Sequence, residues 1–265
     1  MCKDCRVVAR TLLILMAVAA VCLASAQDNY EIQVYGADTV KKGTTMVELH
    51  SNYTFNGPTT SINGVLPTNH ALHETLEITH GFTDTFETGF YIFTSYQNDQ
   101  GYNYVGSHIR PRWRVPESMK WPFGASMSVE FGFQKRQFAE DTCDLELRPI
   151  IDRQMGRWYV ALNPALERGI TGFNAGSGFV FSPNVKVSYD ITRVITFGVE
   201  YYGSVGPISE WDTAPNQTHQ LFPAIDLNLG EDWEFNFGVG YGLNRGSQQS
   251  QGTIVKMIIG RRFKF

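Results

Sequence analysis

The chain has 265 residues, of which 18% are charged, 43% hydrophobic and 13% aromatic, and its 25 glycines follow no fixed period, so it is neither disordered nor collagen-like. A net charge of -4 gives no basic excess, and no nucleic-acid partner is expected. Beyond the first 26 residues no apolar run approaches the ~18 residues that a membrane-spanning helix needs.

Lys3, Arg6 and Arg10 form a positive start, Thr11 to Leu23 an apolar run, and Ala24-Ser25-Ala26 a small-residue cleavage site before Gln27. Residues 1–26 therefore read as a signal peptide. A buried helix would need an amphipathic stripe, which this segment lacks, and Val21 is bulky for a lipid-anchored Cys22. Cleavage would leave 19 basic against 25 acidic side chains and a net charge of -6. Cys2, Cys5 and Cys22 would go with the segment. Cys143 then stands alone, so the exported chain has no internal disulfide.

Residues 27–43 read as a periplasmic N-terminal segment. Within it Glu31-Ile32-Gln33-Val34-Tyr35 fits a short strand or a tether, and a spanning strand here would change the strand count.

From Thr44 onward the chain repeats stretches of about ten residues that alternate apolar and polar, each followed by a turn. Ala125, Met127, Val129, Phe131 and Phe133 interleave with Ser126, Ser128, Glu130, Gly132 and Gln134. Trp233, Phe235, Phe237, Val239 and Tyr241 alternate in the same way. A period of two puts one set on each face of a strand. Twelve such segments are predicted: 44–55, 71–81, 86–96, 104–115, 124–137, 142–152, 158–168, 178–189, 195–203, 218–229, 233–243 and 253–265. Their length matches the ~9–11 residues of a tilted transmembrane strand rather than the shorter strands of soluble sheets. Connections 82–85, 153–157, 190–194 and 230–232 are tight, whereas 56–70, 169–177, 204–217 and 244–252 are long and polar. Segments 116–123 and 138–141 break this pattern of lengths. Transmembrane barrels have short periplasmic turns and longer outer loops.

Aromatic residues gather at segment ends. Phe82, Phe86, Trp113, Trp121, Phe123, Trp158, Tyr189 and Trp233 lie near the short turns. Tyr53, Tyr96, Tyr104, Tyr202 and Tyr241 lie toward the long loops. Two such belts suit the two headgroup regions. The chain ends on Phe265, with Phe263, Ile259, Met257 and Val255 on one face and Arg261 interrupting the row. In these features it resembles the bacterial outer-membrane β-barrel proteins, porin- or channel-like and twelve-stranded. The resemblance covers the whole mature chain. It implies an outer-membrane location in contact with lipid, both termini in the periplasm, and a final strand, marked by Phe263 and Phe265, that the barrel-insertion machinery reads. The expected fold is all-β: a closed antiparallel up-and-down transmembrane barrel over residues 44–265. Closure removes sheet edges that a soluble β-sandwich would expose.

If the apolar set faces lipid, the lumen is ionic. Glu48 and His50 lie on the first strand, and His73 and Glu77 on the second. The fourth carries His108, Arg110, Arg112 and Arg114, a basic ladder along the barrel axis. Glu130, Arg148 and Lys186 follow on later strands. Counting back from the 116–123 turn brings His108 roughly opposite Glu130, and Arg148 within reach of the same carboxylate. Twelve strands fall between a barrel filled by side chains and a broad porin, so long ionic side chains can narrow the bore. Passage of a small polar or anionic solute is the expected role. A closed structural barrel with long outer loops is the alternative, and a lipid-acting enzyme is a third reading.

Enzyme and metal motifs fail on geometry. His50-Ser51-Asn52 invites comparison with outer-membrane phospholipase A, but adjacent strand residues point to opposite faces. His73 and Glu77 share a face yet lie roughly 13 Å apart, and His80 faces the other way. There is no HExxH, no cysteine pair and no helix after the glycine runs, so no metal and no cofactor are expected.

Overall fold

The structure, a computed structural model, describes residues 29–264. The expected signal peptide and Phe265 lie outside the described residues. Twelve antiparallel strands follow in order: β1 (Thr44–Asn56), β2 (Leu72–Thr83), β3 (Phe86–Gln97), β4 (Gly101–Arg114), β5 (Gly124–Gln134), β6 (Asp141–Met155), β7 (Trp158–Gly172), β8 (Val180–Asp190), β9 (Ile195–Ser204), β10 (Thr218–Leu227), β11 (Trp233–Gly242) and β12 (Thr253–Lys264). Each pairs with its neighbour in sequence, and β1 closes on β12 from Thr44↔Lys264 to Asn56↔Thr253. The chain is thus a closed up-and-down barrel.

The period of two decides which face is which. Along β5, Met127, Phe131 and Phe133 are exposed on the outside, whereas Ser126, Ser128 and Glu130 are buried inside. Apolar outside and polar inside inverts the order of a soluble domain. It suits a wall that meets hydrocarbon. Trp113, Trp121, Trp158 and Trp233 stay exposed at the short-turn end, and the Arg261 guanidinium lies over the rings of Trp233 (5.0 Å) and Phe263 (5.4 Å). Arg261 thus breaks the apolar row without being stranded, because its charge lies among aromatic faces at the end of the wall.

Tyr202 departs from its expected place in the outer aromatic belt. It shares a face with Glu200, points inward, and donates to that carboxylate at 2.6 Å. The adjacent Tyr201 takes the outward place, bonded to His219 at 2.7 Å. β4 starts three residues earlier than expected, leaving only residues 98–100 as its connection to β3. The 116–123 connection contains a 3-10 turn at Glu117–Met119, and a helix at Arg245–Gln251 is capped by the Asn244 side chain, which accepts from Ser247 N at 3.0 Å.

The larger departure lies in residues 29–38. Expected in the periplasm, they run inside the barrel as an irregular strap that adds no strand, and Tyr30, Ile32, Val34, Tyr35 and Ala37 are all buried there. Buried backbone away from a sheet must bond elsewhere. Lumen side chains supply the partners. Asn52 donates to Asn29 O (2.8 Å), Thr75 to Tyr30 O (2.6 Å) and Lys256 to Ile32 O (3.0 Å). Asn163 holds Tyr35 by both backbone groups (2.7 and 3.0 Å), and Asp152 accepts from Ala37 N at 2.9 Å. Gly36 lets the strap lie this close, because a Cβ there would come within 2.7 Å of the Tyr159 hydroxyl. Apolar side chains of the strap meet inward-facing apolar positions: Tyr30 against Tyr91, Phe93 and Val105, and Ile32 and Val34 against Ala161, Tyr202, Phe222 and Ile254. The centre of the barrel is therefore a small hydrophobic core between strap and wall.

Candidate functional site: the strapped lumen

The inward stripe of β4 places His108, Arg110, Arg112 and Arg114 in a line descending to the short-turn rim, as their spacing predicts. Each meets a different partner. His108 Nδ1 lies 2.5 Å from Oε1 of Glu130. The two sit on adjoining strands but not directly opposite, since His108 pairs with Gly132 in the register. Arg110 donates to Glu77 at 2.7 Å, and Arg112 pairs with Glu87 at 2.7 Å while donating to Asp38 O (2.6 Å) and Gly36 O (3.2 Å). Arg114, at the rim, reaches Asp38 (2.9 Å) and Glu117 (3.1 Å), both largely exposed.

Arg148, expected near Glu130, turns instead to Glu146 at 2.6 Å and to Glu31 of the strap at 3.7 Å. The strap brings a carboxylate within its reach, and Glu146 lies on the same strand face two residues away. Lys186 joins Glu200 (3.2 Å) and Asp226 (2.8 Å), and Lys256 binds Glu200 closely from the other side. Glu48, His50 and Glu77 lie together on the inner faces of β1 and β2, with His50 Nε2 at 3.3 Å from Glu77 Oε2. Ser51 stands between two inward residues and so faces outward, and His80 bonds the outward Thr45 at 2.9 Å. No nucleophile–base pair forms from His50 and Ser51.

Tyr35 stands at the centre of this network. The guanidinium carbons of Arg110, Arg148 and Arg112 lie 4.3, 5.2 and 5.7 Å from its ring centroid, and its hydroxyl meets the Glu31 carboxylate. Three guanidinium groups thus surround the Tyr35 ring, and one of them, Arg148, also reaches the Glu31 carboxylate, both ring and carboxylate coming from the strap. Glu31, Tyr35 and Glu87 are absent from the residues that sequence periodicity assigns to the lumen. Glu87 was legible, because it shares a face with Tyr91 and Ser95. The strap pair was not, because its partners lie far along the sequence, on β4 and β6.

Two cavities flank the strap. One of about 400 Å³ reaches the short-turn rim and is lined by Gln33, Tyr35, Glu48, Glu77, Arg110 and Arg112, among others. The other, about 750 Å³, opens among the long loops, with Asn29, Tyr30 and Glu31 of the strap as part of its wall. Eight carboxylates against two guanidiniums line this outer vestibule. Phe263, one half of the expected insertion signal, is exposed on the outer face of β12.

No family model and no curated protein matches the sequence. Among solved structures, the COG4313 outer membrane channel from Pseudomonas putida F1 aligns over 88% of this chain and 100% of its own, with a TM-score of 0.56 and 11% identity. The KdgM porin aligns over 83% of this chain and 99% of its own, with a TM-score of 0.51 and 12% identity. At that identity the likeness is one of fold. Closed twelve-stranded topology, apolar outer wall and ionic lumen agree with it, and the chain has the fold of these outer-membrane channel barrels.

Proposed function

We propose that the barrel is a narrow channel for a small polar solute, which its own N-terminal strap holds nearly shut. The observation that carries this reading is the arrangement of the lumen. Two cavities reach opposite ends of the barrel, and what stands between them is a strap without sheet pairing. A barrel whose interior served only stability could be filled by wall side chains alone, as smaller barrels are. A strap bonded through side chains can leave without breaking any ladder of the wall.

The expected preference for anions weakens once partners are counted. Arg110 and Arg112 are matched by Glu77, Glu87 and strap carbonyls, whereas the outer vestibule carries the surplus of carboxylates. Rings of carboxylate favour cations in a pore. The solute class this supports is small, polar, and neutral or cationic at the outer mouth. The second reading, a permanently closed structural barrel, is favoured by one observation: the strap is bonded to many strands of the wall.

Reversal potentials in planar bilayers under a salt gradient test the proposal. Native barrel is expected to give small, flickering, cation-selective steps, and Arg112→Ala, which frees two strap carbonyls, longer openings. Silence from both proteins, with correct folding shown by heat-modifiable migration, would favour the closed barrel. Anion-selective steps would overturn the assignment of charge preference.

A further inference from the structure

Glu48 and His50 occur two apart on β1 and so share its inner face, and Glu77 stands directly across from Glu48 in the β1–β2 register. Their candidate ligand atoms all lie within 4.8 Å of one another, and all three residues are buried, His50 completely. Their hydrogen bonding is incomplete in a specific way. Oε1 of Glu77 receives both Arg110 Nη2 and Thr79 Oγ1 at 2.7 Å, which fixes the carboxylate and turns Oε2 toward His50. Oε2 of Glu77, Oε1 of Glu48 and both ring nitrogens of His50 have no aligned hydrogen-bond partner among the described residues. Glu48 also has no salt bridge among the described residues. A buried carboxylate with neither cation nor donor is expensive.

We propose that Glu48, His50 and Glu77 form a binding site for one divalent transition-metal ion in the barrel wall. The separation of 3.3 Å between His50 Nε2 and Glu77 Oε2 lacks hydrogen-bond alignment, yet it is the spacing of two ligands on one metal. With bonds of about 2.0–2.2 Å, ligands of a tetrahedral ion lie roughly 3.3–3.6 Å apart. A small rotation of the Glu48 side chain brings the third ligand into range. Gly260, opposite Glu48 on β12, leaves room for that side chain, since a Cβ there would sit 2.6 Å from Glu48 Cγ. One imidazole with two carboxylates suits zinc, manganese, iron or cobalt rather than magnesium, which keeps mostly oxygen and water. The Arg110 and Thr79 bonds to the far oxygen of Glu77 are the outer contacts that orient a ligating carboxylate. Access is from the cavity at the short-turn rim, whose wall contains Glu48 and Glu77. The fourth position is left to water. Residue spacing alone does not bring these three together, because Glu77 comes from another strand and its register fixes the match.

Titration of chelator-treated, folded barrel in detergent with Co²⁺, read by visible ligand-field bands, tests the site, with Zn²⁺ competition as the second readout. One ion per barrel is expected to bind and to be displaced by Zn²⁺. Glu48→Gln and His50→Gln are each expected to weaken binding about tenfold or more. His80→Gln, on the outer face, is expected to bind as the native protein does. Absence of a saturable one-to-one band in the native barrel would overturn the proposal, and so would unchanged affinity in folded His50→Gln. Where a variant does not fold, the native titration still decides.

Discussion

Two stretches of the same lumen treat charge in opposite ways. Beside the strap, Arg110, Arg112, Arg148 and Lys256 each meet a carboxylate, and Arg112 and Lys256 also bind strap carbonyls. In the outer vestibule Glu31 and Glu146 share Arg148 and Glu130 meets His108, but Glu140, Asp141, Glu167 and Asp212 have no salt bridge among the described residues, and the space is open enough for water. The ladder of arginines is the more conspicuous feature of the sequence, but its charge is used up inside the protein. Selectivity belongs to charges without an internal partner. The strapped region has the character of a folded core, and the vestibule that of a solvent-facing mouth.

The contrast can be broken at four places, in decreasing order of expected effect. Lys256→Met removes the cation that joins Glu200, Tyr202 and Ile32 O in a fully buried position. Removal of one partner from such a group is expected to lower stability by about 3–5 kcal/mol, toward the low end because Lys186 still faces Glu200. Urea unfolding in micelles measures it. Asn163→Ala leaves the Tyr35 N–H and C=O without partners, at an expected cost of about 2–4 kcal/mol. Loss near zero would mean that the strap is not anchored there. In the vestibule, Glu140→Gln with Asp212→Asn, neither of them in a salt bridge among the described residues, should leave stability nearly unchanged and lower the cation-to-anion permeability ratio roughly two- to threefold, seen as a shifted reversal potential. Arg114→Ala closes the series. Its partners Asp38 and Glu117 are more than four-fifths exposed, so the change should cost less than about 1 kcal/mol.

Much of the wall was legible because alternation is a local signal. β1, β3, β9 and β11 begin where the period of two begins, and Gly-, Pro- and Asn-containing connections end them. The pairing of His108 with Glu130 was legible for a related reason, since adjacent strands bring the two together whatever the fine register. The strap was hidden by the same rule. Tyr30, Ile32 and Val34 alternate as a strand would, and nothing near them in the sequence says that their partners are Phe93, Phe222 and Ile254. One trace was present. β3 is apolar on both faces, with Phe90 and Ile92 outward and Tyr91 and Phe93 inward, and an inward aromatic pair needs something apolar to meet. Arg148 was misplaced because the strap supplied Glu31. The metal-like triple was missed because its third member comes from across the β1–β2 register.

The strap as the closure of the bore is tested most directly by removing residues 29–38 downstream of the signal segment and recording single channels beside the native barrel in the same bilayer. With folding confirmed by heat-modifiable migration, the shortened barrel should show steps several times larger and less flicker. Equal conductance, or equal silence, in the two proteins would contradict the account.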